Sequence, residues 1–305
     1  MSDALGPAAP AATTRAGFVA LAGRPNVGKS TLVNAIVGAK VAIVSDKPQT
    51  TRRAIRGVAM RDHAQLVLTD LPGVQKPLDA LTARMQRRVE QELSETDVAL
   101  FVVNAEQGVG PGDRWIADLL RRAPCPVVCA VNKLDRIDKG RTVVALQDAA
   151  ELDLPGDVFP VSARKGTGVE ALVEHLVSLL PQGPFLFPPE ERSDLPQHVH
   201  LAELVREQVL RRTFQEVPHA VEVVIDEVDD LRDDLAVVRA RAWVETESQK
   251  GILIGSGGKM IKTIGTAARR ELERELGRKV HLELSVRVRR GWRADDALLD
   301  RLGID

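Results

Sequence analysis

Two short stretches carry groups that can handle phosphate. Gly23-Arg24-Pro25-Asn26-Val27-Gly28-Lys29-Ser30-Thr31 contains GxxxxGK[ST]. Glycines at these positions let backbone N–H groups turn inward around a phosphate chain, and a helix that follows points its positive end at them. Lys29 is expected to bridge the outer phosphates and Ser30 to ligate Mg²⁺ through its hydroxyl. Asp70-Leu71-Pro72-Gly73-Val74 supplies a DxxG element. There Asp70 acts on Mg²⁺ and the Gly73 N–H senses a γ-phosphate. Between the two lie Thr50 and Thr51, one of which should contact Mg²⁺ in the triphosphate state. Nothing in their sequence neighbourhood decides between them.

The base is read further along. In Asn132-Lys133-Leu134-Asp135 the Asp135 carboxylate can accept from both N1–H and the exocyclic amine of guanine. Adenine presents a lone pair at its N1, so the same carboxylate rejects it; a polar group left unpaired in this way discriminates by about 10⁴–10⁵. Ser162-Ala163-Arg164 fits a loop that closes over the base with backbone groups, giving Asn132, Lys133, Asp135, Ser162 and Ala163 as the guanine set.

A second phosphate-handling stretch lies inside a basic block. Residues 216–247 hold three basic and ten acidic side chains, whereas residues 250–293 hold twelve basic and four acidic ones. A net charge of −1 argues against a polyanion partner, but this segregation restores the argument. Within the block runs Ile254-Gly255-Ser256-Gly257-Gly258-Lys259-Met260-Ile261. Its glycines permit close backbone approach to a nucleic-acid phosphate, and Lys250, Lys259 and Lys262 crowd the same place. The expected RNA set is therefore Lys250, Gly255, Ser256, Gly257, Gly258, Lys259 and Lys262.

These groups need elements to position them. Apolar runs at 17–22, 54–60, 65–69, 98–103, 127–131 and 158–161 read as strands, and 85–93, 115–122 and 169–180 as amphipathic helices. The alternation predicts a doubly wound α/β domain with a mostly parallel sheet over residues 16–180. Each nucleotide motif follows one of these strands. Pro181, Pro184, Pro188, Pro189 and Pro196 then prevent a helix and predict an extended linker over 181–196. Residues 197–305 read α-β-β-α-β, with a long helix ending at Gly277, and form a smaller α+β domain with a C-terminal tail.

Composition bounds the rest. The 305 residues are 44% hydrophobic and 28% charged, and no apolar run approaches the roughly 18 residues of a membrane span. Residues 1–15 have neither a basic start nor an apolar core and are expected to be a disordered tail, not a secretory signal. Cys125 and Cys129 read as core thiols, with a reducing cytoplasm the default. Three Trp, six Phe and no Tyr argue against a broad base-stacking platform.

Arg24-Pro25-Asn26, Thr50-Thr51-Arg52 and Asp70-Leu71-Pro72-Gly73 resemble the Era/TrmE-like branch of the translation-factor-related GTPases. IGxxGxxI and the element order resemble a prokaryotic, type II KH domain. The two in this order, with Leu204-Val205-Arg206-Glu207-Gln208 and Gly291-Trp292, are similar to the Era family over residues 16–304. That resemblance implies a GTPase that binds 16S ribosomal RNA near its 3′ end and acts in 30S subunit assembly. It further implies a cytoplasmic monomer, peripheral attachment to the inner face of the cell membrane, and no DNA partner. Where Ras-type enzymes carry a water-orienting glutamine, this chain has Val74, and an apolar side chain cannot do that work. In such branches K⁺ held by the loop asparagine can substitute for an arginine finger, and Asn26 occupies that position. Ser256 stands where the family often has lysine.

Overall fold

The computed structural model describes residues 14–47, 49–74, 79–214 and 217–304. The tail expected over 1–15 therefore falls almost wholly outside the described residues, and β1 opens at Arg15. The first unit runs β1 (Arg15–Ala22), α1 (Lys29–Val37), β2 (Ile55–Arg61), β3 (Ala64–Asp70), α2 (Ala80–Glu95), β4 (Val98–Asn104), α3 (Pro111–Leu120), β5 (Val127–Asn132), α4 (Lys139–Ala150), β6 (Val158–Pro160) and α5 (Val169–Leu179). Its sheet has the order β2-β3-β1-β4-β5-β6. All neighbours are parallel except β2, which is antiparallel to β3. Helices cover both faces, so central strands such as VALFVVN are buried along their whole length and read as continuous apolar runs. Leu32, Ile36, Leu172 and Leu176 of α1 and α5 pack on one face. Val89, Leu93, Ile116 and Leu120 of α2 and α3 pack on the other, with Ala145 and Ala149 of α4. The sequence reading did not anticipate α4: its buried face is two alanines, while Val143 and Val144 are exposed.

Residues 181–196 form no helix, as the prolines require. They do more than span: Val58 N–H donates to the Arg192 carbonyl at 2.9 Å, and the Gln65 amide brackets Leu186 and Phe187. The segment is thus laced to the β2 and β3 side of the sheet.

The second unit runs α6 (Gln197–Arg212), α7 (Val217–Ala220), β7 (Glu222–Arg232), β8 (Leu235–Val244), α8 (Glu247–Ile254), α9 (Lys259–Leu276), β9 (Lys279–Val288) and α10 (Asp296–Arg301). The strands lie in the order β7-β8-β9, antiparallel then parallel. Leu201, Leu204 and Val205 of α6 and Ile264, Ala268 and Leu272 of α9 share a core with Val238, Ala242 and Val280 of the sheet. Ala220 ends α7, and β7 begins at Glu222. No helix among the described residues is long and apolar enough to cross a membrane.

The helix α6 departs most from its sequence pattern. Its apolar stripe predicts one buried face. In the structure Glu203, Arg206, Glu207 and Gln208 are buried as well, because the first unit covers the polar side.

Candidate functional site

The nucleotide motifs sit at the carboxyl ends of β1, β3 and β5, where doubly wound sheets bind ligands. Two pockets meet there. One is lined by Lys29, Ser30, Thr50, Thr51 and Gly73; the other by Asn132, Lys133, Asp135, Arg136 and Ala163. They share Gly28, Thr31 and Val44, so the two form one trench from phosphate end to base end.

At the phosphate end Gly28 has φ +101°, and a Cβ there would lie 2.4 Å from Asn132 Nδ2. Only glycine fits both the backbone and the close approach. Gly73 presses on Pro25 in the same way, and Val74 N–H donates to the Gly23 carbonyl at 3.1 Å. The phosphate loop and the DxxG element are therefore in direct contact. Arg24 points away, pairing with buried Asp113 at 2.8 Å, so it braces the loop from behind. Lys29 Nζ donates to the Gly23 and Arg24 carbonyls at 3.0 and 3.2 Å. Burial pushes its ammonium down to about 8, against the opposing pull of the Asp70 carboxylate.

Ser30 Oγ donates to Asp70 Oδ2 at 2.6 Å, and Thr51 Oγ1 lies 3.1 Å from both of those oxygens. Thr50 is turned the other way: its hydroxyl donates to the Lys47 carbonyl at 2.6 Å. Of the two threonines the sequence left open, Thr51 joins the metal-side group and Thr50 does not. The residues fit Mg²⁺. All are hard oxygen donors, and Asp70 Oδ1 is buried with no hydrogen-bond partner among the described residues. Burial pushes the Asp70 carboxyl up, opposed by Lys29 and by the Ser30 and Thr51 hydrogen bonds. Val74 is buried in the core and offers the site no side chain. Asn26, at φ +63°, donates from Nδ2 to the Asp46 carbonyl at 2.6 Å.

At the base end Ser162 Oγ donates to Asp135 Oδ1 at 2.6 Å; this bond, outweighing some burial, holds the carboxyl below its usual range. Asn132 also ties two loops together. Its side chain donates to the Val27 carbonyl and accepts from the Ala163 N–H, both at 3.0 Å, stitching the phosphate loop to the loop after β6. Lys133, at φ +70°, donates through Nζ to the Asn26 carbonyl. Burial pushes the Cys125 thiol up and that of Cys129 to about 12, so neither is a reactive thiolate.

In the second unit, Gly257 and Gly258 have φ +59° and +76° and open space where a Cβ would stand. The loop is exposed at Ser256 and Gly257 and caps α9 through Gly258. Lys259 and Lys262 are exposed beside it, while Lys250 is partly answered by Glu247 at 3.6 Å. Sequence reasoning missed the groove next to this loop. Between α9 and β9 lies a cleft with Ile261, Leu282 and Leu284 on its apolar part and Lys262, Arg269 and His281 on its polar part. Because β9 is an edge strand, its outer backbone groups are unpaired by the sheet. The spacing 262, 266, 269 along α9 was the available signal. A second cleft on α9 gathers Arg212, Lys262 and Arg270, none of which has an acidic partner among the described residues. Trp292, by contrast, is fully buried and donates to the Ala220 carbonyl at 3.0 Å: it anchors the tail.

Residues 18–133 match the family described as 50S ribosome-binding GTPase, and residues 216–293 match the KH domain. The chain is 46% identical over 297 residues to GTPase Era of Mycobacterium avium (strain 104), covering 95% of this chain and 98% of that protein. It is 43% identical over 291 residues to GTPase Era of Lactobacillus helveticus (strain DPC 4571), covering 95% and 96%. A crystal structure of Era in complex with MgGDPNP and nucleotides 1506–1542 of 16S ribosomal RNA superposes with a TM-score of 0.91 at 37% identity, covering 95% of this chain and 99% of that one. An Aquifex aeolicus Era variant bound to GDP·AlF₄⁻ superposes with a TM-score of 0.90 over the same shares. Identity of this depth along nearly the whole of both chains shows the family: this chain belongs to the Era GTPases.

Proposed function

We propose that this GTPase is a switch that grips small-subunit ribosomal RNA near its 3′ end and acts in assembly of the 30S subunit. The observation that carries the reading is that one chain holds both a trench with phosphate-loop and base-motif residues and a GxxG loop beside an edge-strand groove. The Era crystal structure that superposes on it holds nucleotides 1506–1542 of 16S ribosomal RNA in complex with MgGDPNP. Asp135 selects guanine, and Lys29 and the loop amides hold the phosphates. Ser30, Thr51 and Asp70 would hold Mg²⁺, which when bound neutralises charge on the β- and γ-phosphates. Ordering of residues 50–51 and 70–74 by a triphosphate alters how the second unit presents its RNA groove, so hydrolysis times release. With Val74 buried, the side chain directly after Gly73 does not orient water, and intrinsic hydrolysis is slow. Asn26 is the candidate K⁺ ligand through its amide oxygen, since its nitrogen is engaged by Asp46.

Ultraviolet crosslinking in growing cells, followed by mapping of the bound RNA, tests this. The expected result is one cluster of sites at the 3′ end of small-subunit ribosomal RNA. Sites scattered over unrelated RNAs would overturn it.

A further inference from the structure

Thr50 and Thr51 are held from opposite sides of the unit boundary. The Thr51 hydroxyl faces Ser30 and Asp70. The Thr50 carbonyl, one peptide away, accepts from Arg206 Nη2 of α6. Arg206 is itself clamped by Glu203, with Nε 3.1 Å from Oε1 and Nη2 bonded to Oε2. Glu203 also takes Arg53 Nη1 at 2.8 Å. Arg53 continues to one Glu222 oxygen at 3.2 Å, and Arg52 takes the other at 2.7 Å. On the far wall of the trench, Val44 N–H donates to Glu207 Oε1 at 2.9 Å, again from α6.

This network is poorly built for stability alone. Arg52 Nε, Arg53 Nε and Arg206 Nη1 are buried with no partner among the described residues. Buried ion pairs seldom outperform apolar packing, yet they fix direction and register. What these pairs fix is the backbone from Thr50 to Arg53, which contains the one threonine aimed at the metal-side oxygens.

We propose that Arg206 is a positioning residue for the Mg²⁺-bound triphosphate. From the RNA-binding unit it holds the Thr50 carbonyl, and so places the Thr51 hydroxyl beside Ser30 and Asp70. Arg206 reaches the metal side only through this peptide. By linkage, whatever strengthens docking of α6 on residues 50–53 strengthens triphosphate binding by the same factor, and the reverse. The proposal rests on the reading of Ser30, Thr51 and Asp70 as the metal-binding group.

The experiment titrates Mg²⁺ against binding of a fluorescent, non-hydrolysable GTP analogue to the full chain, with GDP binding and melting temperature measured alongside. Arg206→Lys keeps a charge for Glu203 but loses the forked geometry. It should raise the Mg²⁺ concentration for half-maximal analogue binding about five- to tenfold and leave GDP affinity within about twofold. If Arg206→Lys does not fold, Glu203→Gln loosens the same guanidinium and should show the same selective loss. Equal loss of analogue and GDP binding, or no change in a folded variant, would overturn the proposal. Thr51→Ala separates the two readings: unchanged Mg²⁺ dependence in that variant would sink the metal-site assignment itself, whatever Arg206 does.

Discussion

Lys29 shows how a loop motif becomes a titrating group. Burial pushes its ammonium down to about 8, and a bound phosphate needs the charged form. Below that pH the charge is already present. Above it, each binding event must take up a proton, so affinity falls as pH rises, approaching tenfold per pH unit. Titration of a labelled GDP from about pH 6.5 to 9 should therefore give a flat profile that turns down near 8. A flat line through pH 9 would show that the Lys29 ammonium does not titrate in this range, against the shift assigned to its burial. Other residues depended on context that their types do not encode. Asn132 belongs to a base-reading motif, and its side chain also ties the phosphate loop to the loop after β6 through Val27 and Ala163. Thr50 and Thr51 are chemically identical, and the side each hydroxyl faces follows from the backbone held by Arg206.

Among the elements, the GxxG loop was legible because glycine there has a strict backbone reason. Gly257 and Gly258 are left-handed and uncrowded, so a side chain would meet strain but no collision. Aspartate is among the residues that tolerate this region best. Gly257→Asp with Gly258→Asp should then cost about 1–2 kcal/mol for each strained residue and keep the fold. RNA affinity should fall at least a hundredfold, because two carboxylates would face phosphate, while GTP binding stays unchanged. Filter binding beside thermal melting checks this; normal RNA affinity in the folded protein would mean the loop is only a helix cap. The groove beside it was not legible. Its apolar and polar walls come from α9 and β9, and strand pairing alone makes β9 an edge.

Across the whole molecule, the two units are joined at residues 52–53 and again at α2. Arg52 and Arg53 enter the second unit, and Arg52 lies 5.4 Å from the Trp292 ring. After the DxxG element, α2 meets the tail: Leu81 and Met85 pack with Trp292, Leu298, Leu299 and Ile304, and Arg84 bonds Asp300 at 2.6 Å. Glu222 anchors the first of these joints. Burial by itself would raise its carboxyl, but the Arg53, Arg206 and Arg52 guanidinia outweigh that and hold it well below the usual range. Its contribution is thus fully present above the ordinary carboxylate range and fades as pH falls below it. Glu222→Gln strands buried guanidinia and should destabilise the protein by about 3–5 kcal/mol at neutral pH. Denaturant unfolding should show that loss shrinking in acid. Equal stability at pH 7 would mean the pairs are interchangeable with neutral hydrogen bonds.

Local chemistry was enough to establish the catalytic class, the base, the strand-to-loop placement of each nucleotide motif and the GxxG loop. Those features depend on residue type and short spacing: a glycine where φ must be positive, a lysine at the end of a phosphate loop, a carboxylate after a buried strand. Tertiary structure alone decided the burial of the polar face of α6, which threonine faces Ser30 and Asp70, and the joints of residues 52–53 and α2 with the second unit. Each of these rests on contacts between residues 150–216 positions apart, where a charged side chain reads as surface until its partner arrives. Arg52, Arg53 and Arg206 look solvated in any local window. Arg52 and Arg53 are buried against Glu203 and Glu222 of the other unit, and Arg206 between Glu203 of its own helix and the Thr50 carbonyl of the first unit.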